Sequence, residues 1–107
     1  MIFIESTIFT KLLHNYLDDK ELSEFQQYLG VNPKAGDVIP GTGGLRKVRW
    51  KGSGKGKRGG TRIIYYWQMV KDRILLMTIY AKNEVSDLTT QEKKLLKEMV
   101  ARWDDGQ

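Results

Sequence analysis

No cysteine occurs in the 107 residues, which excludes a disulfide framework and thiolate metal sites. A single histidine, His14, is present; one imidazole without thiols makes zinc chemistry unexpected, and no metal or cofactor is assigned. The sequence suggests no Ser-His-Asp arrangement. No apolar run approaches the roughly 18 residues that span a bilayer, so no membrane partner is expected. The opening "MIFIEST" lacks a basic leader and a small-residue cleavage site, and reads as structure rather than a signal peptide. With no cysteine, this fits a cytoplasmic protein. Acid is also missing locally: from Val38 to Lys71 there are nine basic side chains and no Asp or Glu.

The rest of the chain holds nine basic and thirteen acidic residues, a net −4 within an overall +5. A mildly acidic domain thus carries one concentrated basic segment: Arg46, Lys47, Arg49, Lys51, Lys55, Lys57, Arg58, Arg62 and Lys71. Such a patch favours a polyanionic partner, with a merely solvated basic face as the alternative. The length allows one core and one domain, residues 1–107, and there is no internal repeat or linker.

"IFIE" (2–5) is a short β-branched run and reads as a strand. Ser6 or Thr7 then caps a helix with Ile8, Phe9, Leu12, Leu13 and Tyr16 on one face. Asp18 with Glu21 forms a capping box, and Leu22, Phe25 and Leu29 make the stripe of a second helix, closed by Gly30 and Pro33. Residues 34–44, "KAGDVIPGTGG", read as an exposed loop. Three strands follow, "LRKVRW" (45–50), "RIIYYWQMV" (62–70) and "RILLMTIYA" (73–81), the last two joined by a "KD" turn as an antiparallel meander. Thr89 and Glu92 repeat the capping box before a third helix that turns Leu95, Leu96, Met99, Val100 and Trp103 inward. The expected fold is α+β, in the order β-α-α-β-β-β-α, with helices packed on a twisted, mainly antiparallel sheet.

Strand alternation places Val48 and Trp50 on one face and Lys47 and Arg49 on the other. If helices cover the Val48 face, the opposite face presents Lys47, Arg49 and Arg62 as a cluster, with Lys55, Lys57 and Arg58 over its edge. Tyr66 shares the Arg62 face, and Tyr66 and Tyr80 are expected to border the exposed site. Trp50, Trp67 and Trp103 sit at core-patterned positions. Gly54, Gly56 and Gly59 match G-x-G-x-x-G, but the strand-like "RIIYYW" follows where a dinucleotide site needs a helix. The loop is then either a solvated hairpin connection or a basic loop that closes on a backbone phosphate. Glu84 and Asp87 compensate the dipole of the following helix, or else bring Lys82 and Glu84 beside the basic cluster.

Taken in order, "GTGGLRKVRW", "GKGKRGGTRIIYYW" and "LLMTIYAKNEVSDLT" closely resemble the HigB-like branch of the RelE toxin superfamily of bacterial toxin–antitoxin modules. The resemblance runs from "IEST" to the last helix. It implies a microbial-ribonuclease-like fold and ribosome-dependent cleavage of messenger RNA in the decoding site. A ribose 2′-hydroxyl would attack the adjacent phosphate, leaving a cyclic phosphate and a free 5′-hydroxyl. The implied partners are a HigA-like helix-turn-helix antitoxin, the ribosome and mRNA, with operator DNA reached only through the antitoxin.

By this resemblance the family's basic residues on the strand before the glycine loop fall on Lys47 and Arg49. Its arginine at the start of the next strand falls on Arg62, and a basic residue ending the last strand falls on Lys82. The best-known RelE members add an arginine and a C-terminal tyrosine; this chain has Asn83 near the first position and no tyrosine after Tyr80. Arg62 and Arg49 suit a charged phosphorane, since a guanidinium binds two oxygens in fixed geometry. A lysine among cations has its pKa pushed down, which makes Lys47, Lys57 or Lys82 a proton-transfer group, with Glu84 as an alternative base. Arg46, Lys51, Lys55, Lys57, Arg58, Tyr66 and Tyr80 are the candidate RNA- and ribosome-binding residues. Two competing readings are a non-catalytic RNA- or ribosome-binding domain and an inactive corepressor.

Overall fold

The computed structural model describes residues 1–50, 60–82, 84 and 87–105. Strand β1 (Ile2–Glu5) leads into α1 (Thr7–Leu12), a single 3₁₀ turn over Leu13–Asn15, and α2 (Asp19–Val31). Then come β2 (Asp37–Val38), β3 (Leu45–Trp50), β4 (Thr61–Gln68), β5 (Arg73–Ala81) and α3 (Thr90–Asp105). The five strands form one sheet in the order β1-β5-β4-β3-β2, antiparallel except where β1 runs parallel to β5.

The helix starts are set by their caps. Ser6 Oγ accepts from the Phe9 N–H at 3.0 Å, Asp18 and Glu21 close a reciprocal box, and Thr89 and Glu92 do the same for α3. Three expectations are corrected. Residues 37–38 in the supposed loop pair with β3 as a short edge strand, since Tyr65 reaches beneath them and pins the segment. Its buried hydroxyl donates to the Pro33 carbonyl at 2.7 Å and accepts from the Gly36 N–H at 2.9 Å. Gly36 is needed there: a Cβ would lie 2.9 Å from the Lys47 carbonyl oxygen. Strand β4 stops at Gln68, and the turn is Met69–Asp72 rather than two residues, with Asp72 at φ 50° and its N–H donating to the Met69 carbonyl. Leu95 is 49% exposed, because α3 turns Leu96 and Val100 inward instead.

Both faces of the sheet are covered. On the first, Val48, Ile63, Tyr65, Ile74, Leu76 and Ile79 pack with Phe9, Leu13, Leu17, Phe25 and Leu29 of the α1–α2 region, and Trp50 and Trp67 lie against them. Burying each such side chain contributes about 1.5–3 kcal/mol. On the second, Leu45, Ile64, Leu75, Met77 and Tyr80 pack with Leu88, Leu96 and Val100, and Trp103 closes the far end. The basic strand face is therefore open only beyond the reach of α3, not along its whole length.

One irregularity sets the site. Ile64 lies opposite Thr78, yet Tyr65 lies opposite Leu76, so Met77 is an extra residue in β5. Strict alternation would send Tyr80 to the face of Ile74 and Leu76. The bulge instead turns it to the α3 face, directly across from Arg62. The Ser6 hydroxyl donates to the bulged Met77 carbonyl at 2.7 Å, so one side chain both caps α1 and braces the bulge.

Candidate nucleic-acid interface

The site lies where β3 ends, β4 begins and β5 ends. Arg49 is the cross-strand partner of Arg62, and Arg62 of Tyr80, while Lys47 lies two residues before Arg49 on the same face. Directly opposed like charges are unfavourable in a sheet. Stability alone does not select an arginine opposite an arginine. Gly60, at φ 78°, brings the chain back into the sheet; a Cβ there would meet the Trp50 carbonyl oxygen at 3.3 Å and Arg49 at 3.5 Å. Its own carbonyl accepts from the Lys82 N–H at 3.4 Å, which carries the ladder one rung past β5 and sets exposed Lys82 at the same end.

Asp87 supplies the facing carboxylate. Its Oδ1 lies 3.6 Å from Lys47 Nζ and accepts from the Leu88 N–H at 2.8 Å. The Leu88 N–H, then the Lys47 and Lys93 ammonium groups, hold the Asp87 carboxyl below its usual range despite opposing desolvation. Sequence reading placed Asp87 only at the start of a helix; a residue in a turn has no alternation to say which way it faces.

Glu84 faces another neighbour, its Oε1 accepting from the Tyr16 hydroxyl at 2.7 Å. Burial first, then this carboxylate, pushes the Tyr16 phenol up to about 12. Glu84 is thus joined to the helical hairpin and Asp87 to β3.

The two tyrosines expected to border the site do not lie open beside it. Tyr80 is only 7% exposed, and its hydroxyl is buried with no hydrogen-bond partner among the described residues. Burial first, then Asp87, raises its pKa, and Arg62 opposes the rise, so the phenol stays protonated at neutral pH. Tyr66 lies opposite Leu45 and Leu75, under the end of α3, where its hydroxyl donates to Asp104 at 3.0 Å and its ring meets Trp103 edge-on. Four residues along a strand separate it from Arg62, about 13 Å.

Arg46 also leaves the row. It alternates away from Lys47, and its Nη1 donates to the Gly36 carbonyl at 2.8 Å. His14 is exposed in the 3₁₀ turn. Lys51, Lys55, Lys57, Arg58 and Asn83 lie outside the described residues. Among the described residues, no group of three or more His, Cys, Asp or Glu side chains could hold a metal ion. No described helix is long and apolar enough to cross a membrane.

Residues 6–106 match the family described as the RelE toxin of RelE/RelB toxin–antitoxin systems. The chain belongs to the RelE toxin family. The fold is likewise similar to solved RelE structures from E. coli. One is the crystal structure of the intact RelBE toxin–antitoxin complex, with a TM-score of 0.56 and 13% identity, covering 75% of this chain and 94% of that one. Another is E. coli RelE in the free state with two arginines replaced by alanine, with a TM-score of 0.54 and 11% identity over 79% and 86% of the two chains. The α+β architecture expected from the resemblance is thus that of RelE, with β2 as an added strand.

Proposed function

We propose that this RelE-family chain is the toxin of a type II module of the HigB branch, acting in the cytoplasm as a ribosome-dependent mRNA endoribonuclease. The carrying observation is the row Lys47, Arg49, Arg62, held across adjacent strands at the open end of the sheet. Its expected antitoxin is a HigA-like helix-turn-helix protein. The E. coli relative is seen with its antitoxin in the intact RelBE complex.

The chemistry follows from the row. In-line attack by the 2′-hydroxyl oxygen forms a bond to phosphorus while the bond to the 5′-oxygen breaks. The 2′-proton leaves to a base, and the 5′-oxygen gains a proton. Arg62 and Arg49 face the non-bridging oxygens, where guanidinium geometry stabilises the added charge of the phosphorane. Lys47 and Lys82 are the proton-transfer candidates within the described residues, while Glu84 already accepts the Tyr16 hydroxyl at Oε1. Tyr80, with its buried phenol, holds the Arg62 backbone in register rather than stacking a base. Such a partial set of groups depends on the ribosome to bring the 2′-oxygen into line.

Induced expression in bacteria, with primer extension on an abundant transcript, tests the reading. Translation-dependent cuts within codons are expected. In Arg62→Ala they should fall by at least about a hundredfold, as for loss of a charge-stabilising donor, with the circular dichroism spectrum unchanged. Cuts at the wild-type rate in Arg62→Ala would remove this residue from the mechanism. Growth arrest without cuts favours a ribosome-binding protein, and no arrest from soluble protein favours a corepressor.

A further inference from the structure

We propose that Asp87 is a built-in competitor for RNA phosphate at Lys47, limiting how tightly the free protein holds RNA; this rests on the reading of the row as RNA-facing. The pair is half-exposed, with side-chain exposures of 35% for Lys47 and 57% for Asp87, so a phosphate can reach the same ammonium. Asp87 is held in place before any partner arrives. The Leu88 N–H fixes its Oδ1, and Leu88 is anchored in the core. The carboxylate therefore loses little freedom in pairing with Lys47, unlike two long surface side chains that must each be ordered.

A carboxylate and a phosphodiester oxygen offer a lysine the same charge and hydrogen-bond chemistry. While Asp87 stays in place, an incoming phosphate must share or displace it at the Lys47 ammonium. Arg49 and Arg62 then supply most of the grip, and Lys47 joins only when the RNA is held against the row from outside. Asp87 is a positioning residue, touching Lys47 rather than substrate.

The test uses a 2′-O-methyl RNA oligonucleotide, which has no free 2′-hydroxyl to attack, titrated against the full chain over a range of salt. Asp87→Asn keeps the shape and the acceptor for the Leu88 N–H while removing the charge. It should tighten binding on the order of two- to fivefold, the scale of an exposed ion pair. The slope of log affinity against log salt should steepen by about 0.7, one further single-strand phosphate contact. In a Lys47→Met background the same substitution should change neither quantity. Unchanged affinity and slope in Asp87→Asn would overturn the proposal, as would a gain that persists without Lys47, which would make Asp87 a general repulsive charge. If Arg49→Met, which removes a cation that Asp87 does not hold, leaves binding and slope at wild-type values, the RNA-facing reading of the row fails instead.

Discussion

Tyr16, Tyr65, Tyr66 and Tyr80 all have their pKa raised, and in each burial is the largest cause, but the second influence differs. A carboxylate comes second and adds to the rise at Tyr16, Tyr66 and Tyr80, with the Arg62 charge opposing it at Tyr80. At Tyr65 the Gly36 N–H comes second and works against the rise. A phenol whose pKa rises on folding favours the folded state fully below the unfolded value near 10. That stabilisation is lost as pH climbs through the folded value, about 12 for Tyr16. Absorbance titration of the folded protein should therefore show these four phenols ionising later than in the urea-unfolded chain, with Tyr16→Phe removing one late step. Coincident folded and unfolded curves would mean that the hydroxyls are freely solvated. At this scale the sequence was legible where alternation applied: Lys47, Arg49 and Arg62 share a face because strands allow only two. It was illegible for Asp87 in its turn. For Tyr66 the face was right, but the register set it beneath α3.

Elements depend on a few side chains that do two tasks. Ser6 caps α1 and braces the bulge that turns Tyr80 toward Arg62, whereas the capping bonds of Asp18 are local to its helix box with Glu21. Asp18→Ala should cost about 1 kcal/mol and Ser6→Ala about 2–3 kcal/mol, since the latter loses a cap and a buried bond together. Urea unfolding measures both; equal losses would show that the Ser6–Met77 bond adds nothing. The caps of α2 and α3 were readable because the capping box is a local code. The bulge was not, for "LLMTI" contains no residue that marks where a strand gains an extra member. The edge strand β2 was hidden for a similar reason: Asp37 and Val38 are drawn into the sheet by Tyr65, 28 and 27 residues further along the chain.

Across the whole molecule, two apolar clusters share β4 and β5, so neither can come apart without exposing strands on which the other depends. Trp50 reports on the first cluster and Trp103 on the second. In the unmodified chain, tryptophan fluorescence and far-UV circular dichroism should give the same urea midpoint, as a single cooperative transition. Separate midpoints would mean that α3 detaches as an independent unit. The α+β class and the packing of helices on the sheet were legible because hydrophobic periodicity alone separates helices from strands. That α3 would take the second face was not, since periodicity tells a helix to bury a side without telling it where.

The parallel seam between β1 and β5 joins chain positions that are remote in synthesis. Ser6 reaches Met77 across 71 residues, and the Ser6 N–H donates to the Leu76 carbonyl at 2.9 Å. A nascent chain can form its helical hairpin early, but β1 has no neighbour until β5 has emerged. Contacts so distant make folding slow and defer the closing step until β5 has been made. Prematurely terminated chains would carry the basic segment without the frame that aligns Arg49, Arg62 and Tyr80. The cell that makes this protein thus has an interval between starting the chain and meeting its finished surface, and the length of that interval is set by the topology of one strand.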